Sequence, residues 1–328
     1  MRPMRIRLDR HAPECTGYGR RGNGPPDAAR SRSASASAGQ GRAKSLDFAP
    51  FSLYTRGMAY FVNLPIRYIA QDSSWLELFV EQGLHPELGI DAWAIDELDG
   101  RFHDEIIRRL DEAGLARAAH LPFMDLRPGS TDPLILTATR DRLRRAMALA
   151  RRYGAAHMVG HSGLAPGADE AFTAEWLPRV TATWSMLLRE WPGHPPLYLE
   201  NIFDADPGPL CRLVDGLGDP ETGLVFDAGH WHSFAGGARH NDLRRWLEAI
   251  APRLRHLHLH DNSGSGDEHV GMGQGIIPWA ELFGFLEERG LTPGVTFEPH
   301  SREDFGGTLE FVAAHPEWFG RLGVAMPG

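Results

Sequence analysis

LRHLHLHDNSGSGDEHVGMGQG, residues 254–275, changes character halfway along. His256, His258 and His260 alternate with Leu257 and Leu259, a period of two that puts all three imidazoles on one face of a β-strand. Beyond Asp261 the residues turn small and polar, as a loop requires, and that loop carries Asp267 and His269. The flanks repeat the plan. Short apolar runs at 59–64, 87–93, 116–122, 155–161, 196–202, 223–228, 254–260 and 294–299 read as strands. Between them lie amphipathic stretches such as SSWLELFVEQG, FHDEIIRRLDEAG, TATRDRLRRAMALARRYG and HNDLRRWLEAI. Eight strand–helix repeats with none left over predict an α/β protein, a single (β/α)8 TIM barrel over 58–328, rather than an open doubly wound sheet. No GxGxxG follows the first strand, which argues against dinucleotide binding.

Composition narrows the chemistry. At 328 residues with 42% hydrophobic content, the chain has room for one barrel of roughly 250 residues and not for a second full domain. No run of about 18 apolar residues occurs and the first residues are not a secretory signal, so a cytoplasmic protein without a membrane partner is expected. The cysteines, Cys15 and Cys211, imply neither a disulfide framework nor a cysteine zinc site. Residues 1–57, with the run SRSASASAGQGR, show no periodicity and are expected to be a disordered Arg/Ser-rich tail, or the product of a start placed ahead of Met58. They hold eleven basic residues against four acidic ones, a net +7; set against −9 for the whole chain, this leaves −16 on 58–328. So acidic a body repels a phosphate backbone and makes DNA an improbable partner, although bound cations reverse that sign locally. Lys44, the one lysine, lies in the tail, which excludes Schiff-base aldolases, pyridoxal-phosphate enzymes and Walker-type ATPases.

The informative residues are the polar ones at strand ends, because a barrel gathers such groups at one mouth. Strand three ends AHLPF with His120, strand four VGHSG with His161, strand five YLEN with Glu200, and strand six FDAGH with Asp227 and His230. His258 lies inside strand seven, Asp267 and His269 in the loop after it, and Glu298 ends strand eight in FEPH. Neutral imidazoles with carboxylates suit zinc, and equally manganese, cobalt or iron, and a carboxylate can bridge two ions. A lone histidine at a strand end is more often a hydrogen-bonded structural residue; nine such groups on six successive strands point to a metal site. His256 is expected to pack in the core, His260 and Asp261 to orient ligands, and His157, His232 and His300 not to be ligands. Arg67, Arg127 and Arg302 are expected at the surface, and Trp231 and Phe123 as packing around the rim.

The motifs HLHDN, DEH and GMGQG, with AHLPF and LEN in support, resemble the xylose isomerase-like TIM barrel superfamily, which includes the endonuclease IV branch (AP endonuclease family 2) and sugar phosphate isomerase/epimerase-type proteins. The resemblance covers about residues 58–316. It implies three zinc ions: His120 and His161 on one, Glu200 bridging to a second completed by Asp227, His258 and Glu298, and His230, Asp267 and His269 on the third. Isomerases and epimerases of the superfamily rely mainly on the central four. The full set therefore favours hydrolysis of a phosphoester in a small or medium-sized substrate. The alternative is a metal-dependent sugar or sugar-phosphate isomerase/epimerase in which Glu200 and Glu298 exchange a proton across the substrate. Oligomeric state is not legible.

Overall fold

Eight short parallel strands close on themselves in chain order: β1 (Phe61–Pro65), β2 (His85–Gly89), β3 (Ala118–His120), β4 (Met158–His161), β5 (Leu197–Glu200), β6 (Thr222–Asp227), β7 (Leu254–Leu259) and β8 (Gly294–Phe297), with β8 pairing back onto β1. This (β/α)8 barrel is a computed structural model that describes residues 60–324; the 1–57 tail, Cys15 and Met58 lie outside the described residues. Among the described residues no helix is long and apolar enough to cross a membrane.

The helices start where short polar side chains satisfy the first free N–H groups. Asp99 accepts from Phe102 N, Asp132 from Leu134 N and Asp169 from Phe172 N, opening helices Gly100–Glu112, Pro133–Tyr153 and Glu170–Glu190. Gly154 and Gly290 end theirs in the left-handed conformation, where a side chain would be strained. Helix Leu243–Ile250 shows how the layers meet: Leu243, Trp246, Leu247 and Ile250 recur at helical spacing and are buried, while Arg244 and Glu248 pair on the exposed face. It begins three residues after His240, because Asn241 takes a left-handed φ of 49°.

Strand alternation separates two environments. Leu257 and Leu259 point to the helices, while His256 and His258 point into the barrel, where they meet Thr296 and Glu200. Phe61, Ala116 and Ala118 plug the lower end. The second strand sits earlier than the expected 87–93: Asp91 caps a short helix, Ala92–Asp96, which takes the chain out of the sheet. The shift matters because it places Glu87 in mid-strand, inside the barrel.

Candidate metal centre

His120, His161, Glu200 and Asp227 are the last residues of β3 to β6; His258 is next to last in β7, and Glu298 follows β8 directly. His230 stands on a short helix, Ala228–Ser233, and its own backbone N–H is capped by Asp227 Oδ1. The structure gathers these side chains into three groups whose donor atoms lie within 4.8 Å of one another: His120, His161 and Glu200; Glu200, Asp227, His258 and Glu298; and His230, Asp267 and His269, with His260 alongside.

Glu200, only 1% exposed, joins the first two groups. Its Oε2 is 3.2 Å from His120 Nε2 and 2.8 Å from His161 Nε2, and its Oε1 is 2.8 Å from His258 Nδ1. Glu298 Oε1 approaches the same Nδ1 at 3.1 Å, and Asp227 Oδ2 at 4.0 Å. Concentrating three buried carboxylates here costs several kcal/mol each unless positive charge offsets them. In the third group the imidazoles are fixed from behind. His230 Nδ1 lies 3.0 Å from the carbonyl of Asn201 and His269 Nδ1 lies 2.8 Å from that of Glu298; a carbonyl only accepts, so both rings carry the proton on Nδ1. Their Nε2 atoms face Asp267 Oδ2, at 3.5 and 3.1 Å, and without an ion they carry protons that Asp267 accepts. An ion would take the place of those protons, and an N–H bonded to a backbone carbonyl is the usual support behind a metal-bound imidazole. The donors fit a divalent ion of the zinc, manganese, cobalt or iron kind.

His260 belongs beside the third group rather than in it. Its ring stacks on His269 at 3.6 Å and 5°, and parallel imidazoles cannot aim in-plane lone pairs at one ion. Its Nε2 instead lies 3.2 Å from Asp227 Oδ1, in keeping with a group that orients another's donor. Gly229 makes room for it, since a Cβ there would stand 2.0 Å from the His260 ring. Asp261 departs from expectation. Among the described residues its two oxygens accept from the N–H groups of Asn262, Gly273 and Ile277 and from Trp279 Nε1, and from no group at the mouth. It thereby folds the loop that presents Asp267 and His269, and a Cβ at Gly275 would strike it at 2.3 Å.

Charge and burial divide the ionisable groups. Burial works to lower His258, yet Glu298, Glu87 and Glu200 outweigh it and raise its pKa well above the ordinary value. Burial likewise opposes His230, but Asp227 and Asp267 push it up to about 10. His161 falls to about 4, through burial first and the neighbouring His120 as well. Glu200 and Glu298 part company: burial acts to raise both, but His258, His120 and His161 hold Glu200 well below the carboxylate range, whereas Glu298, facing Glu200 and Asp227, stays raised.

Other expected positions fall as follows. His256 is buried, its Nε2 2.8 Å from Thr296 Oγ1; His157 is buried against Glu87; His232 bonds Asn262; His300 stacks on His269 at 3.8 Å. Arg67 is paired with Asp91, and Arg302 lies over Trp75. Trp231 is not at the rim: it is buried, with Nε1 donating to Asp242. Phe123 and Arg127 do line the cleft beside the first group, together with Ser162, Ile202 and Asp204.

Three residues escaped the sequence reading. Asn201 clamps β5 to β6 by exchanging two hydrogen bonds with the Asp227 backbone, at 2.9 and 3.0 Å. Glu87 is fully buried in the barrel interior. Asp204 is buried at the cleft, accepting from Ile202 N at 3.2 Å, and burial pushes its carboxyl up to about 6. The folded state therefore holds this proton longer than the unfolded chain, and Asp204's contribution to stability is present below pH 4 and lost as pH rises through about 6. In chelator-treated protein, Asp204→Asn should raise stability at pH 8 by about 2–3 kcal/mol and about half as much at pH 5; equal melting shifts at both pH values would show that the carboxylate carries no burial penalty.

The sequence matches the xylose isomerase-like TIM barrel family over residues 75–319. The uncharacterized protein MJ1311 of Methanocaldococcus jannaschii is 26% identical over 228 residues, covering 67% of this chain and 73% of its own. A probable endonuclease 4 of Mycobacterium tuberculosis is 29% identical over 182 residues, or 51% of this chain and 69% of its own. Among solved structures, the TTHB071 protein from Thermus thermophilus, soaked with ZnCl2, gives a TM-score of 0.65 at 27% identity over 78% of this chain and 97% of its own. A D-tagatose 3-epimerase-like protein shares the fold at a TM-score of 0.63 and 20% identity, over 80% of this chain and 98% of its own.

Proposed function

The chain belongs to the xylose isomerase-like TIM barrel family, and within it we propose a divalent-metal-dependent hydrolase of a phosphoester in a small or medium-sized substrate, with up to three ions, zinc foremost. The third group, His230, Asp267 and His269, carries this reading. A one-ion isomerase has no use for it, whereas charge on both the attacking and the departing oxygen in phosphoester hydrolysis rewards additional cations. The likeness to a probable endonuclease 4 and to a protein soaked with zinc chloride supports it. The chemistry such ions supply when bound is polarisation of phosphoryl oxygens and acidification of water.

This chain's own residues do the rest. Glu200 and the imidazoles around it place the donors of two groups on shared ground, so substrate oxygens at the mouth meet both. Arg127 lines the adjoining cleft and pairs with no carboxylate among the described residues, leaving its guanidinium for a phosphate oxygen. Phe203 and Phe234 pack at 4.9 Å on the rim and are both partly exposed, a surface suited to an apolar part of the substrate.

A second reading has one observation of its own. Glu200 and Glu298 have pKa values pushed in opposite directions, the arrangement expected of an acid and a base acting on one substrate, as in metal-assisted sugar or sugar-phosphate isomerisation or epimerisation. The number of ions separates the two. Elemental analysis of protein purified without chelator should find two to three per chain, and Asp267→Ala should remove one and lower phosphoesterase activity by at least about 100-fold. One ion per chain, retained in Asp267→Ala with activity on ketoses, would hand the site to the isomerase reading.

A further inference from the structure

Beneath the mouth, Glu87 reaches from β2 across the barrel to β7 and β8, neither of which neighbours it in the sheet. Its carboxylate is completely buried, and three groups surround it. Thr296 Oγ1 donates to Oε2 at 2.7 Å, His157 Nε2 lies 3.2 Å from the same oxygen, and His258 Nε2 lies 3.2 Å from Oε1. Because the Thr296 proton goes to Glu87, its oxygen accepts from His256, whose Nε2 is 2.8 Å away. Gly294 leaves space for that ring, since a Cβ there would meet His256 Nδ1 at 2.5 Å. Glu87 Oε1 and His258 Nε2 have no other hydrogen-bond partner among the described residues. They stand 3.2 Å apart but out of line for a full hydrogen bond.

An ionised carboxylate only accepts, so what faces Oε1 must be an N–H. By the same rule the ion-free ring donates from Nδ1 to Glu200 Oε1 at 2.8 Å, with Glu298 Oε1 at 3.1 Å; an ion in the central group would take the place of that proton, and an Nε2–H kept against Glu87 leaves the lone pair on Nδ1. Resting on the metal reading above, we propose that Glu87 is a positioning residue: it locks His258 with Nδ1 turned, lone pair forward, into the central group, and so sets that group's affinity for a divalent ion. Thr296, His157 and His256 hold Glu87 in turn, so the support extends two layers below the mouth. The set Glu87, His157 and His256 is compact enough to be a cation site itself. An ion there would have to displace both hydrogen bonds of Thr296, and orientation of His258 accounts for the same contacts without that loss.

The test uses the full chain, with Zn2+ affinity measured by competition against a chromophoric chelator, zinc per chain by elemental analysis, and thermal melts by circular dichroism. Glu87→Ala should fold and bind its central ion about 10–100-fold more weakly while keeping the ions of the other two groups. Glu87→Gln, whose amide oxygen can still accept from His258, should lose less, about tenfold, and it decides the matter if the alanine variant does not fold. Zinc affinities within twofold of wild type in the folded variants, with only a lowered melting temperature, would overturn the proposal and leave Glu87 a packing residue. Wild-type protein that takes up no Zn2+ would sink the metal reading, and this inference with it; wild type that binds while the variants match it would sink this inference alone.

Discussion

Glu200→Ala should abolish turnover by at least about 10³-fold, equivalent to roughly 4 kcal/mol of transition-state stabilisation, and should cost the protein ions in two groups rather than one. The reason is geometric. One carboxylate oxygen faces His120 and His161 while the other faces His258, so both groups lose a donor together. Glu200→Gln is the sharper test because it preserves shape: an amide has one acceptor oxygen and cannot serve both sides. Neither change should unfold the barrel, since removing one of several crowded carboxylates relieves repulsion on Asp227 and Glu298. The measurements are zinc per chain and initial rates over a panel of phosphomonoesters and phosphodiesters. Loss of a single ion, or a rate reduced less than tenfold, would show that Glu200 does not bridge.

The barrel was legible because alternation of two and of three to four residues is a local signal, repeated eight times. What misplaced β2 was equally local. Asp91 falls inside the expected strand 87–93, but its side chain caps the next helix, and capping ended the strand early. The nine candidate donors were legible for a different reason: a parallel barrel sends every strand end to one mouth, so position along a strand predicts convergence. Glu87 escaped because nothing in PELGI distinguishes a buried carboxylate from an exposed one; only the closure of the barrel brings His258, Thr296 and His157 around it. An acidic residue inside an apolar run was the available cue. Asp261 was misread through proximity. It adjoins His260 in sequence, but the backbone turns after the strand, and its carboxylate faces the GMGQG loop. The glycines of that loop were a motif before they had a cause. The cause is the close packing of Gly275 on Asp261 and the left-handed φ of 80° at Gly273.

Stripping the protein with a chelator should lower its melting temperature by on the order of 10–30 °C. A ligand present at 100 times its dissociation constant stabilises by about 2.7 kcal/mol, two or three ions sum accordingly, and each kcal/mol moves a domain of this size by about 2–4 °C. The pH dependence is more diagnostic than the size. In chelated protein His230 titrates at about 10 against 6.5 unfolded, and His120, His258 and His269 are raised as well. A raised imidazole stabilises fully below the unfolded value and loses that contribution as pH climbs through the folded one, so the chelated barrel should weaken steadily from about pH 6.5 to pH 10. His161, at about 4, and His256, well below 6.5, are neutral in the folded barrel across that window and add only a small opposite slope near pH 6.5, where the unfolded chain still takes up protons. The metal-loaded protein should run the other way, because the same imidazoles bind an ion only when deprotonated. The gap in melting temperature between loaded and chelated protein should therefore widen from pH 6 to pH 9. A gap that is flat or narrows over that range would mean these histidines are ion-pair partners of the carboxylates and not ligands, and the site would have to be reread as a buried salt-bridge network.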